Sequence, residues 1–328
     1  MNNHKQFDIV CAGIATWDTL FTGVENDLMN IDGILAKGYY ASSGGDAVNA
    51  AISTSRLGLK TALCASLGKD SAAELVKQEL RKAGVDCTYL HQSETVNTAS
   101  PVILVDPAGE RHIIRVPDNG NHFFTQEMVS DELLVQTRHL HFASANVMRA
   151  IDGEPLGRLF ARAHKAGVST SLDASYDRGG RWMKNIETAL HHCDIFIPSF
   201  QEASIYAGSE NLDEICAFFA KYPLRVFGVK LGEKGVLATD FKNTWKMGTL
   251  YRKKPVDTTG AGDAFLAGFV SAWLKGYDIP SCAAVGSAQS YSVLDAVGAN
   301  VSAGTWSDAL EVLAQNHIEL QYRTGGTQ

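Results

Sequence analysis

At 328 residues with 45% hydrophobic and 20% charged residues, the chain can bury a large core and reads as one α/β domain spanning 1–328. A net charge of −7 without any Lys/Arg-rich run argues against nucleic acid or an anionic membrane surface as partner and points to a small-molecule substrate. Six cysteines (Cys11, Cys64, Cys87, Cys193, Cys216 and Cys282) occur with no C-x-x-C pair, which argues against a disulfide framework or a zinc ribbon and fits reduced core residues of a cytoplasmic protein.

Near the N-terminus, "FDIVCAGI" is too short for the core of a signal peptide and reads as a first buried strand. No apolar stretch approaches the roughly 18 residues of a membrane span. "DAVNAAISTSRLG" follows as a helix, "KTALCASLG" as a strand, "SAAELVKQELRKAG" as a helix, "HLHFASA" as a strand and "PLGRLFARAHKAG" as a helix. Next come "VSTSLDA" as a strand, a helix through "WMKNIETALHH", "CDIFIPS" as a strand, two helical stretches to about Lys221, and "RVFGVKLG" as a strand. This alternation predicts a central, mostly parallel sheet sandwiched by helices.

Two stretches break the alternation. Residues 15–43 are rich in Gly and turn residues, and within 98–116 "TASPVILVDPAGERHIIRV" reads as two strands joined by a Pro-Ala-Gly turn. Both are expected to build a small β-sheet lid over a site at the strand ends.

"KPVDTTGAGDAF", Lys254 to Phe265, runs into a helix whose apolar positions are Phe265, Leu266, Phe269, Val270, Trp273 and Leu274, with Gly276 as its stop. Asp263 thus falls in the first turn, where free backbone N–H groups attract anions and glycines let a ligand approach the backbone. An Asp there also complements the helix dipole, the purely structural reading. Beside Gly260 and Gly262, however, it supplies what phosphoryl transfer to a hydroxyl needs: donors for the moving charge and an acceptor for the alcohol proton.

In "SSGGDAVNAA" two glycines precede a helix whose first turns carry Asn49, placed to reach back over the Gly44–Gly45 turn; the structural alternative is a tight turn with Asp46 as helix cap. Asp18 follows the first strand at the carboxyl end, where a carboxylate can accept hydrogen bonds from adjacent sugar hydroxyls. Gly68-Lys69 is followed by Asp70, so there is no P-loop, and Phe265 stands where a dinucleotide fingerprint needs its third glycine. His139 with His141, and His191 with His192, have no matching third metal ligand and read as structural.

"GGDAVNAA" together with "DTTGAGDAF" resembles the two signatures of the ribokinase-like (PfkB) carbohydrate kinases, in matching order and separation. The resemblance extends over nearly the whole chain, through "SLGKDSAAELVKQELRKAGVD", "DPAGER", "VKLGEKGV" and "VGA" at 297–299. It implies a nine-stranded αβα sandwich with a small β lid, often used for dimerisation, and ATP and Mg²⁺ as cofactors. By the same resemblance Asp263 is the base, and Gly260, Ala261 and Gly262 form the anion hole. Asp18, Gly44, Gly45 and Asn49 hold the sugar. Lys230, Gly232 and Gly235 belong to the ATP site, with Gln289 on the helix beside the adenine groove. Asp257 and Thr259, with backbone near Gly298, correspond to a monovalent cation (K⁺) site in many members.

One motif departs from the family. Its Asn-x-x-Glu, which organises Mg²⁺ and phosphate, stands here as "SFQE", with Glu202 retained and, in place of Asn, Ser199, which can still hold a Mg²⁺-bound water but with shorter reach. Arg115, near the end of the second lid strand, is the one lid cation able to reach an anionic acceptor; its structural reading is a solvated edge-strand Arg, and an unphosphorylated sugar is the expected substrate. The resulting expectation is an ATP- and Mg²⁺-dependent sugar kinase, a homodimer through its lid. A nucleoside kinase of the same fold, a catalytically silent sugar-binding or regulatory protein, and more distantly a dinucleotide oxidoreductase are the alternatives.

Overall fold

The computed structural model describes residues 5–25, 28–30, 32–108, 110–117, 119–250 and 254–323. At its centre runs β1 (Phe7–Ala12), buried at every residue but Asp8 because it has a strand on either side and helices over both faces. After it come β2 (Thr16–Thr22), β3 (Gly38–Gly44), α1 (Asp46–Arg56), β4 (Thr61–Gly68), α2 (Ser71–Lys82), β5 (Leu90–Ser93), β6 (Val102–Val105) and β7 (Arg111–Ile114). The middle of the chain forms α3 (Asp131–Val135), β8 (Thr137–Ala145), α4 (Glu154–Lys165), β9 (Ser169–Ala174), α5 (Met183–Leu190), β10 (Ile195–Phe196), α6 (Phe200–Ala207) and α7 (Leu212–Phe219). The last third adds β11 (Val226–Lys230), β12 (Val236–Thr239), β13 (Thr244–Met247), α8 (Ala261–Leu274), α9 (Ile279–Val293) and α10 (Trp306–Gln315).

Nine strands form the main sheet in the order β13-β12-β11-β10-β9-β8-β1-β4-β5. Neighbours are parallel except around β12, which runs antiparallel to both β11 and β13. Cys11 of β1 sits opposite Leu63 of β4 and His141 of β8. Two buried clusters cover the two faces, one under α1, α2, α8 and α9 and the other under α3 to α7. In the second, Phe124, Phe142, Phe160, Phe196, Phe219 and Phe227 are fully buried, each stabilising the fold by about 2 kcal/mol. On the first face α8 and α9 approach until a Cβ on Gly268 would lie 2.7 Å from the Val285 carbonyl oxygen, and one on Gly286 2.8 Å from that of Phe265.

Four strands form a separate sheet in the order β3-β2-β6-β7. β2 pairs antiparallel with β3 from Thr16 opposite Gly44 to Thr22 opposite Gly38, and parallel with β6. Gly109 of the Pro-Ala-Gly turn lies outside the described residues. His139 and His141 face inward on β8, bonded at 2.7–2.8 Å to the Ser169 and Ser171 hydroxyls. Burial holds both imidazoles neutral, with pKa values lowered to about 3 and about 4.

Candidate active site

The parallel strands deliver Ser144 (β8), Asp173 (β9) and Lys230 (β11) to one end of the main sheet, where the N-termini of α1 and α8 meet them. Most helices here begin on a side-chain cap: Asp70 for α2, Ser199 for α6, Asn211 for α7, Asp278 for α9 and Thr305 for α10. α1 and α8 begin instead on Gly45 and Gly260, at φ 90° and 75°, with no side-chain cap. Ala261 N donates back to the Thr258 carbonyl at 3.3 Å, and the amides that follow in each first turn, which lack intrahelical partners, are left open at the cleft. Only glycine serves at 260, since a Cβ there would lie 2.4 Å from the Ala299 carbonyl oxygen.

Asp263 stands in the first turn of α8, as the spacing of apolar residues predicts. Its Oδ2 accepts a hydrogen bond from Asn49 Nδ2 at 2.8 Å. Asn49 Oδ1 in turn accepts from Asn300 Nδ2 at 2.9 Å, and that same amide donates to the Ser43 carbonyl at 3.0 Å. Arg56 fixes the Asn300 loop by donating to the carbonyls of Asn300 and Ala303. Asn49, expected against the sugar, is turned onto Asp263 and held there by Asn300, a residue that sequence reasoning missed. Burial, reinforced by Asp46 and Asp173, pushes the Asp263 pKa well above the ordinary carboxylate value against the opposing pull of Asn49 and Lys230.

Asp46 does not cap α1. Its Oδ2 accepts from the Ser144 and Ser175 hydroxyls at 2.7 and 2.9 Å, on the floor of the same cleft. Lys230 Nζ lies 3.2 Å from Asp173 Oδ1 and 3.1 Å from where a Gly262 Cβ would be, so it sits beside the α8 N-terminus. Burial alone would lower its pKa, but Asp173, Glu202 and Asp263 outweigh burial and raise it, so the ammonium stays charged.

Across the cleft, β2 carries Asp18, whose Oδ1 accepts from the Thr16 hydroxyl at 2.6 Å. Its Oδ2 lies 2.2 Å from where a Cβ on Gly44 would be, so glycine at 44 is what leaves room for the carboxylate. A Cβ on Gly45 would meet the Ile14 carbonyl at 2.5 Å. Burial raises the Asp18 pKa and Asp46 adds to the rise, while the Thr16 hydroxyl and the Arg115 guanidinium work against it. Arg115 is exposed just after the edge strand β7, and its charge is felt at Asp18.

On the other side of Lys230 a groove of about 130 Å³ runs past Gly232, Gly235 and Gly262 to Ser287, Ser290 and Tyr291 of α9. Gln289 is not part of it. Its side chain is fully buried on the opposite face of α9 and donates to the Gly304 carbonyl at 3.2 Å. "SFQE" forms a capping box: Glu202 N donates to Ser199 Oγ, and Ser199 N to Glu202 Oε2 at 2.8 Å. Ser199 is therefore occupied as a helix cap, while Glu202 lies within electrostatic reach of Lys230 and Asp173. Among the described residues no three His, Cys, Asp or Glu side chains converge as metal ligands.

Asp257 Oδ1 accepts from the Thr259 amide at 2.9 Å and hydroxyl at 2.7 Å, and Oδ2 from the Gly298 amide at 3.1 Å, which brings the three expected residues together. Arg111 of β7 joins them, paired with the Asp257 carboxylate and donating to Thr259 Oγ1 at 2.5 Å.

The chain is similar to several known proteins. Fructoselysine 6-kinase of Escherichia coli is 30% identical over 255 residues, covering 76% of this chain and 88% of its own. ATP-dependent 6-phosphofructokinase of Thermoanaerobacterium thermosaccharolyticum is 26% identical over 305 residues, covering 90% and 91%. A candidate ribokinase II of Escherichia coli, solved in complex with ATP and Mg²⁺, superposes with a TM-score of 0.80 at 17% identity, covering 94% of this chain and 99% of its own. The pattern of the pfkB family carbohydrate kinases matches residues 7–306. With that match over most of its length, and with an open helix N-terminus, a charged lysine and a half-buried aspartate at one point of the fold, the chain belongs to the pfkB family of carbohydrate kinases, phosphotransferases with hydroxyl acceptors.

Proposed function

We propose that the protein transfers the γ-phosphate of ATP to a hydroxyl of a small, unphosphorylated sugar, with Asp263 as the general base. The observation that carries this reading is the placement of Asp263. Its carboxylate lies at the uncapped start of α8, beside Lys230 and facing the cleft that Asp18 closes from the other sheet. The acceptor hydroxyl would lose its proton to Asp263, while the first-turn amides of Gly262 and Asp263 and the Lys230 ammonium face the charge that develops on the transferring group. Gly232, beside which a Cβ would meet nothing within 4 Å, leaves the groove toward Ser287 and Ser290 open for the nucleotide.

Mg²⁺ carried with the nucleotide would neutralise phosphate charge, and because that ion keeps several waters, it needs only one or two protein carboxylates. Glu202, with Oε2 in the capping box and Oε1 making no hydrogen bond to the described residues, fits that part. An acceptor bearing its own phosphate would meet the carboxylates of Asp18, Asp46 and Asp263, with Arg115 and Lys230 as counter-charges and Lys230 already paired with Asp173, which supports the uncharged sugar. ADP release from ATP and Mg²⁺ across a panel of sugars, sugar phosphates and nucleosides tests the assignment. Preference for a nucleoside or a sugar phosphate would replace the acceptor class, and no release with any of them would make the chain a silent binding scaffold.

Within this reading Asp18→Ala is expected to raise the acceptor KM tenfold or more at unchanged ATP KM, since hydrogen bonds to a charged group are worth roughly 1.5–3 kcal/mol. A shift confined to the ATP KM would place Asp18 in the other half of the cleft. The lid sheet also exposes Tyr39, Tyr40, Ile113, Ile114 and Val116, at 41–71% of their full accessibility. Such a patch on its two edge strands supports a homodimer through this sheet, and a monomeric mass in sedimentation at micromolar concentration would exclude it. No helix among the described residues is long and apolar enough to cross a membrane. Six unbonded cysteines, four of them buried, support a reducing, cytoplasmic setting.

A further inference from the structure

A monovalent cation beside Asp257 and Thr259 would need their oxygens turned toward it and free. In this chain they are taken. Asp257 Oδ1 already accepts from the Thr259 amide and hydroxyl, and Oδ2 from the Gly298 amide. The remaining approach is filled by Arg111, whose Nη2 pairs with Asp257 Oδ1 and whose Nη1 donates to Thr259 Oγ1 at 2.5 Å. The donor set therefore does not fit an added K⁺, because a positive charge from the chain itself stands there. That charge is permanent and planar, and it makes contact at two points.

The partners come from different sheets. Arg111 opens β7, opposite Val105 of the lid sheet. Asp257 lies in the loop that turns through Gly260 into α8, and its side chain is only 6% exposed against 39% for Arg111. Without a positive partner the buried carboxylate would hold an uncompensated charge in the segment that aims the amides of Ala261, Gly262 and Asp263.

We propose that the Arg111 guanidinium acts in place of a monovalent cation at the Asp257–Thr259 loop and, by the same contact, latches the lid sheet to the start of α8, so that the protein works without K⁺. Arg111 is a positioning residue, acting on the reaction through the loop. The inference rests on the kinase reading for its consequence in activity, but not for its consequence in stability.

The test compares the wild type with Arg111→Gln in buffer whose only monovalent cation is tetramethylammonium, and again after addition of K⁺. Melting temperature needs no acceptor and is read beside ADP release with the best sugar. The wild type is expected to change by less than about twofold in rate on adding K⁺ and to keep its melting temperature; Arg111→Gln is expected to lose about tenfold in rate, melt lower, and regain both with K⁺. A wild type whose rate or melting temperature rises strongly with K⁺ overturns the proposal. So does a variant indistinguishable from wild type without K⁺, or a loss that K⁺ leaves unrepaired. Should Arg111→Gln fail to fold, the wild-type cation comparison decides by itself. If no acceptor releases ADP, the kinase reading fails while the melting temperatures still decide the role of Arg111.

Discussion

Asp263→Asn is expected to lower kcat by about 10² to 10⁴ and, at neutral pH, to raise the melting temperature of the same protein. The loss follows from removing the proton acceptor while Asn49 still finds an amide oxygen at its 2.8 Å position. The gain follows from linkage. The folded-state pKa of Asp263 lies well above that of the unfolded chain, so its contribution to stability is full below the unfolded value and is lost as pH rises through the raised folded value. Above the unfolded value, keeping this carboxyl in its place is a net cost to the fold, and an uncharged amide removes that cost at neutral pH. The wild-type rate should accordingly climb with pH along a limb lying above the ordinary carboxylate range. Kinetics and thermal denaturation of the variant from pH 5 to 8 check both halves. Wild-type turnover by the Asn variant would end the assignment of the base.

Lys230→Gln is expected to reduce kcat by about 10² to 10³, the usual worth of one charge aimed at a developing anion. It should also move the acid limb of the remaining activity to higher pH, because the ammonium is one of the two groups holding the Asp263 pKa down. The pH dependence of kcat/KM separates this from simple damage to the fold. A variant that lost activity but kept the wild-type limb would mean that Lys230 does not face the base.

The parts of this site that are legible in sequence are those encoded over a few residues. The uncapped glycine starts of α1 and α8, Asp263 three residues into its helix, and Asp18 just after β1 all follow from local spacing. The illegible parts are partnerships across long stretches of chain. Asn49 meets Asp263 across 214 residues and Asn300 across 251, and Arg111 reaches Asp257 across 146. No periodicity announces such pairs. Gln289 shows a different failure: α9 is apolar on nearly every face, so nothing in its pattern tells that Ser290 rather than Gln289 turns to the groove. "SFQE" carries both meanings in its letters, and only the two reciprocal hydrogen bonds reveal that Ser199 is spent on the helix end. The β12–β13 hairpin pairs a buried strand with a half-exposed one, each only four residues long, too short a run to stand out beside the longer buried strands.

On the proposed reading, with Asp263 as the base, the hydrogen bond from Asn49 sets which of its oxygens takes the proton. Because Oδ2 is held at 2.8 Å by an amide that Asn300 keeps from rotating, Oδ1 is the atom left to receive the acceptor's proton. Once protonated there, the carboxyl retains Oδ2 as its carbonyl oxygen, which accepts from Asn49 as before. The side chain then has no torsion to change between its charged and neutral forms, so the reorganisation that accompanies each proton transfer is confined to one O–H bond and is reset without moving a heavy atom.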